Sequence, residues 1–182
     1  LRGKPENMYG KKQSDIYKND ELYQLMMALG IETSVENLKY SKIVIATDAD
    51  NDGFHIRNLV LTFFLGYFEE LVTSGRVYIL ETPLFRVRNK KDNIYCYSEG
   101  ERDAALKQLG SSAEVSRFKG LGEINPDEFK QFISPETMHL TPVEISQLKI
   151  IPQLLAFYMG KNTPQRREFI EQHLLSNAEI DV

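Results

Sequence analysis

Leu22, Leu25, Met26 and Leu29 recur at the three-and-four spacing of an amphipathic helix, with Asn19-Asp20 placed to start it and Gly30 to stop it. A short polar link leads to Lys42-Ile43-Val44-Ile45-Ala46-Thr47, a β-branched run that reads as a buried strand. From 54 to 73, Ile56, Val60, Phe63, Tyr67 and Leu71 form one apolar stripe and Leu61, Leu65, Phe68 and Val72 a second. This predicts a long helix buried on more than one side. Ser74-Gly75 closes it, and Arg76 to Leu80 reads as a second buried strand. A strand-helix-strand unit of this kind implies parallel strands and a right-handed crossover. Further on, Leu84 to Arg88 and Ile94 to Ser98 read as a hairpin around the charged turn Asn89 to Asn93. Ser98 and Glu101 have capping-box spacing for a helix ending near Gly110, Glu114 to Phe118 is a short strand, and Asn125-Pro126-Asp127 opens a helix through Ile133.

Residues 1 to 18 lack a period and hold Gly3, Pro5 and Gly10, so they read as an extended basic arm. Residues 19 to 135 form the main domain. Beyond Ser134-Pro135, prolines at 142, 152 and 164 punctuate short helical or strand pieces, with Pro152 to Met159 and Pro164 to Leu175 the clearest helices. Residues 136 to 182 are therefore expected to form a helical tail. The 182 residues suffice for one good core with a smaller appendage, and 42% apolar with 26% charged residues is ordinary for a globular protein. The chain begins at Leu1 in a basic segment, which reads as an excerpt of a longer protein.

The strand from Lys42 ends in Asp48-Ala49-Asp50-Asn51-Asp52-Gly53. Three carboxylates at alternate positions repel one another, so a cation is expected among them, and oxygen donors suit magnesium or calcium. A calcium loop of the EF-hand kind would need a bidentate Glu at its twelfth position, where this chain has Leu59, and would be entered from a helix rather than a strand. Magnesium at the carboxyl end of a buried strand fits better. The other reading of the stretch is a solvated acidic loop that caps the following helix. His55 and Arg57 lie in the first turn of that helix, His55 as a helix-end polar residue and Arg57 as a counter-charge to the acids or a contact for an anion.

A second loop, Lys119-Gly120-Leu121-Gly122-Glu123, has two glycines that permit close backbone approach, with Arg117 and Lys119 bringing positive charge. It lacks the spacing of a P-loop or a dinucleotide fingerprint. The net charge of −4 hides local clusters: Arg2, Lys4, Lys11 and Lys12; Arg76, Arg86, Arg88, Lys90 and Lys91; Lys161, Arg166 and Arg167. A solvated face is the default reading of each. Cys96 is the only cysteine, which excludes an internal disulfide or a multi-cysteine zinc site and fits a reducing interior. It lies in an alternating strand as a packing residue. The uncharged stretch Leu59 to Phe68 is too short to cross a bilayer, and no signal peptide is visible.

Taken together, Thr47-Asp48-Ala49-Asp50-Asn51-Asp52-Gly53-Phe54-His55-Ile56-Arg57, then Leu61-Thr62-Phe63-Phe64, then Arg117-Phe118-Lys119-Gly120-Leu121-Gly122-Glu123-Ile124-Asn125-Pro126 closely resemble the B subunit of bacterial type II topoisomerases. Arg2-Gly3-Lys4, Pro83-Leu84-Phe85-Arg86-Val87 and Arg166-Arg167-Glu168-Phe169-Ile170 extend the resemblance over essentially the whole chain. It implies an α/β fold: a Toprim, Rossmann-like, mostly parallel sheet with helices on its faces, and a helical C-terminal tail. The sheet's first strand carries the family's catalytic Glu in a Glu-Gly-Asp-Ser-Ala motif, which this chain does not contain. That leaves the metal site incomplete and a sheet edge open.

The resemblance further implies that Asp48, Asp50 and Asp52 bind magnesium. It places DNA contacts at Lys4, Asn7, His55 and Arg166, with Lys119 as an addition. The partners it implies are double-stranded DNA and an A subunit carrying the tyrosine nucleophile, in an A2B2 heterotetramer. ATP would be bound outside this stretch, and the setting is cytoplasmic, away from any membrane. No catalytic residue is assigned within the chain. Ser116-Arg117-Phe118-Lys119 and the Asn-containing acidic loop incline the reading from gyrase towards topoisomerase IV. The alternatives are a Toprim primase or nuclease, and a non-catalytic DNA-binding and subunit-docking fragment.

Overall fold

Ile43 and Ile45 are buried while Val44 between them is exposed, the alternation of a strand covered on one face. This strand, β1 (Ile43–Ile45), belongs to a computed structural model that describes residues 1–118 and 120–178. The remaining strands are β2 (Val77–Glu81), β3 (Phe85–Arg88), β4 (Asn93–Cys96), β5 (Glu114–Arg117) and β6 (His139–Pro142). The helices are α1 (Gln13–Ile16), α2 (Asp20–Leu29), α3 (Asn51–Tyr67), α4 (Glu69–Thr73), α5 (Glu99–Leu109), α6 (Pro126–Phe132), α7 (Ile151–Met159) and α8 (Thr163–Ala178). The chain divides into two compact units: one of Leu1–Lys39, Leu59–Thr73 and the chain from Glu144 on, the other of Tyr40–Asn58 and Ser74–Val143.

The second unit holds both sheets. One has the order β1-β2-β6, with β1 parallel to β2 and β6 antiparallel to it. The parallel pair is the one the strand-helix-strand pattern predicts. Of the pairings in the two sheets this alone is parallel, so the mostly parallel sheet of the expectation is, among the described residues, a mixed one. The physical reason is that β6, from within the expected tail, runs back along β2 and pairs the N–H and C=O groups of its second edge. β1 stands at the other edge. The second sheet, β4-β3-β5, is antiparallel throughout. Phe85, Val87, Cys96 and Ala105 form its core against α5, so Cys96 is a packing residue. Ser98 caps α5 by accepting the Glu101 N–H, while the Glu101 carboxylate accepts from Tyr97 rather than from Ser98 itself.

In the first unit Asn19 caps α2 through a bond from the Leu22 N–H at 3.0 Å, and Gly30 ends it at φ +80°. The arm is not a free extension. Met8 and Ile16 are buried, residues 13–16 form α1, and the Tyr67 hydroxyl lies 2.9 Å from the Met8 carbonyl and 2.8 Å from that of Lys11. Burial pushes the Tyr67 phenol up, so it remains the protonated donor. α3 begins three residues before the expected start; of the two predicted stripes Val60, Phe63, Phe68, Leu71 and Val72 are buried and Ile56, Leu61, Leu65 and Tyr67 half-buried, while Leu59, Thr62 and Phe64, outside both stripes, are buried as well. The helix breaks at Phe68, whose carbonyl takes the Leu71 N–H, and α4 carries the remainder. Among the described residues no helix is long and apolar enough to cross a membrane.

Candidate metal and nucleic-acid site

Asp50 is the N-cap of α3: its carbonyl accepts the Phe54 N–H and its Oδ1 accepts the Gly53 N–H at 2.7 Å. Asn51, Asp52 and Gly53 thus form the first helical turn rather than part of a loop, where acids complement the positive end of the helix dipole. Gly53 is buried, and a β-carbon there would overlap the Asp48 backbone carbonyl. The Asp48 side chain turns towards the glycine-rich loop, where its Oδ1 accepts the Leu121 N–H at 2.7 Å. Gly120 stands beside it, and a β-carbon added there would lie 3.0 Å from Asp48 Oδ2. Two stretches that the sequence singled out separately are therefore one structural feature.

All the donors here are hard oxygens, the right chemistry for magnesium. Asp48 and Asp50 each spend one carboxylate oxygen on a backbone N–H and keep the second outside these bonds. Among the described residues, however, no three His, Cys, Asp or Glu side chains gather into a group able to hold a metal ion. Asp48, Asp50 and Asp52 are thus spread along the strand-to-helix turn rather than gathered at one point. The chemistry fits the ion, and the count falls short of a closed site.

His55 is exposed in the second turn of α3, and Arg57 lies over the Phe54 ring at 4.8 Å. Lys119 lies outside the described residues. Lys4 is exposed in the arm and engaged in an interaction within the fold. Asn7 and Arg166, far apart in sequence, meet at the end of α7. Asn7 Nδ2 donates to the Met159 carbonyl and an Arg166 Nη donates to the Tyr158 carbonyl, each at 2.8 Å. They satisfy carbonyls that the helix leaves unpaired at its C-terminus. Asn7 Oδ1 also accepts the Tyr9 N–H at 3.0 Å.

Sequence reasoning missed Arg86, counted among the solvated basic residues. It is largely buried and pairs with Glu128 at 2.6 Å. No short-range pattern announces a partner 42 residues away. Burial pushes the Glu128 carboxyl up, but the hydrogen bond and charge of Arg86, with the nearby Tyr95 hydroxyl, outweigh it, holding the group below its ordinary value.

Residues 11–82 match the Toprim family model, and residues 110–171 match that of the carboxyl terminus of the DNA gyrase B subunit. The chain belongs to the B-subunit family of type II DNA topoisomerases. It is 62% identical over 175 residues to the DNA topoisomerase 4 B subunit of Borreliella burgdorferi, covering 96% of this chain and 29% of that protein. It is 41% identical over 192 residues to the DNA gyrase B subunit of Thermus thermophilus, covering 100% of this chain and 30% of that one. The chain thus spans under a third of the length of these curated relatives. The fold is also that of a crystal structure of the Plasmodium falciparum topoisomerase II DNA-binding, cleavage and re-ligation domain. The TM-score is 0.77 at 20% identity, over 93% of this chain and 24% of that one.

Proposed function

We propose that the chain is the Toprim and carboxyl-terminal part of the B subunit of an ATP-dependent type II topoisomerase. In this reading it holds magnesium and double-stranded DNA for cleavage and religation by a tyrosine of an A subunit. The observation that carries the reading is the Leu121 N–H bond to Asp48 Oδ1 at 2.7 Å, which ties the acidic turn to the glycine loop. The identity to a topoisomerase 4 relative, 62% against 41% for a gyrase one, supports the topoisomerase IV subtype.

Asp48 and Asp50 would hold the ion through their second oxygens, with Asp52 serving a neighbouring position and the family's Glu completing the donors. When bound, magnesium supplies positive charge opposite the phosphoryl and departing 3′ oxygens. The chain's own part is to orient. The cap on α3 holds Asp50, the Leu121 bond holds Asp48, and both keep the carboxylates from relaxing away from one another. Lys4, His55, Lys119 and Arg166, together with Asn7, are assigned to the DNA backbone, a sequence-independent contact. Arg166 has guanidinium N–H groups beyond the one given to Tyr158. Exposed Leu154, Tyr158, Ile170 and Leu174 on α7 and α8 favour docking of a protein partner, here the A subunit of an A2B2 assembly in the cytoplasm.

The test is magnesium-dependent cleavage of supercoiled DNA by the chain with an A subunit, with and without the ATP-binding, Glu-bearing portion. Cleavage and religation are expected only from the complete set, and are abolished in it by Asp48→Ala. Cleavage by the chain alone would instead identify a Toprim nuclease. DNA binding without any cleavage by the complete set would leave a docking module.

A further inference from the structure

Along β3 the side chains alternate. Phe85 and Val87 face the core, whereas Arg86 and Arg88 face the other side. Arg88 makes an ordinary surface pair with Glu114 at 3.2 Å, both well exposed. Arg86 differs. Its side chain is 17% exposed and that of Glu128 16%, its guanidinium sits 5.7 Å over the Phe118 ring, and among the described residues its Nε and Glu128 Oε2 have no hydrogen-bond partner. A largely buried, half-satisfied ion pair is a poor source of stability, and apolar residues of similar size would serve that purpose as well. Its geometry therefore calls for another reason.

The pair lies at both ends of the glycine-rich loop. At the entrance, Phe118 donates its N–H to the Leu84 carbonyl at 3.0 Å and places its ring under Arg86. At the exit, Glu128 is the third residue of α6, and the Asn125 N–H and the Tyr95 hydroxyl face the same carboxylate. Phe118, Ile124 and Phe132 form a small core with Tyr95 and Leu121 packed against it. Leu121, in the middle of this span, turns its N–H to Asp48.

We propose that Arg86 and Glu128 are positioning residues: by joining β3 to α6 they fix where Phe118 and Asn125 stand, and through the Leu121 N–H the direction of the Asp48 carboxylate. The inference deepens the proposed function by naming what orients Asp48. Its test contains neither cation nor DNA, so its failure and the failure of that function are separate results.

The experiment is amide hydrogen exchange and proton shift of Leu121 in the full chain, with Ile79 at the centre of β2 as the control. Glu128→Gln and Arg86→Gln are expected to raise Leu121 exchange by about tenfold or more and to move its amide proton upfield, with Ile79 unchanged within about twofold. Arg86→Lys keeps the charge but loses the planar fork, and should give a smaller rise in the same direction. Leu121 exchange within about twofold of the parent would overturn the proposal, as would equal rises at Leu121 and Ile79, which mark a merely structural role. Should a glutamine variant fail to fold, Arg86→Lys decides by the same criterion.

Discussion

The backbone N–H of Leu121 donates to Asp48 Oδ1 at 2.7 Å, joining two loops 73 residues apart. A carboxylate held by a main-chain donor is fixed more firmly than one held by a mobile side chain, because the donor carries no rotamers of its own. The bond also requires the loop backbone to come within van der Waals reach of Asp48, which explains Gly120. Its φ of −153° is open to any residue, so the need there is for space and not for backbone freedom.

Gly120→Ala places a β-carbon 3.0 Å from Asp48 Oδ2 and forces the carboxylate or the loop to yield. Expected is a loss of about 1–2 kcal/mol by urea denaturation, together with a displaced Leu121 amide resonance. An unchanged resonance would place the substituted loop away from Asp48.

At the start of α3 two effects oppose each other. Alanine in place of Gly53 gains about 1 kcal/mol of helix propensity, but its β-carbon overlaps the Asp48 carbonyl, an overpacking cost of about 3 kcal/mol. Net destabilisation of about 2 kcal/mol is expected, read as a shift in the urea midpoint.

Asp50 serves as helix cap in the structure and as cation ligand in the proposal, and two substitutions separate the roles. Asp50→Ala removes both and should cost about 1 kcal/mol of stability. Asp50→Asn keeps the cap, with stability within about 0.5 kcal/mol of the parent, but removes the charge. Magnesium-dependent cleavage by the complete assembly should fall in both. Retained cleavage in Asp50→Asn would take Asp50 out of the metal site.

Because Glu128 titrates below its ordinary value in the folded chain, it contributes stability that is fully present above the unfolded carboxyl value of about 4.3 and is lost as the pH falls through the folded value. Urea midpoints measured from neutral pH down to about 3 should therefore drop less steeply in Glu128→Gln than in the parent, in the range below about 4.3. Parallel profiles would contradict the shift.

Asn7 and Arg166 bond to neighbouring carbonyls at the end of α7, so their removal should be felt without DNA. Each alanine variant is expected to cost about 1 kcal/mol, with a double variant that departs from additivity by about 0.5 kcal/mol or more. If either residue also contacts the DNA backbone, its variant will lower the salt dependence of binding, a readout that helix capping alone does not move.

Much of the architecture was legible because its signals are local. Asn19 and Gly30 bound α2 where they were expected to, Ser98 starts α5, and the β-branched runs at 43–45 and 77–81 pair in parallel. The start of α3 was misplaced because Asp50, one of three alternating acids, could not be told from its neighbours as the cap. The arm looked extended because its composition is polar, yet Met8 and Ile16 bury themselves and Tyr67 reaches its carbonyls from 56 and 59 residues away.

The chemistry was written in the chain itself: hard carboxylates after a buried strand, a glycine loop with basic flanks, and helices and strands marked by caps and periodicity. Those follow from side-chain type and from spacings within a few residues. The pairings were left to the folded state: which carboxylate meets which backbone donor, that Asn7 and Arg166 share the end of α7, and that Arg86 turns inward to Glu128. Such pairings depend on closing long loops around an apolar core, and no local pattern of charge or hydropathy encodes the partner brought in by that closure.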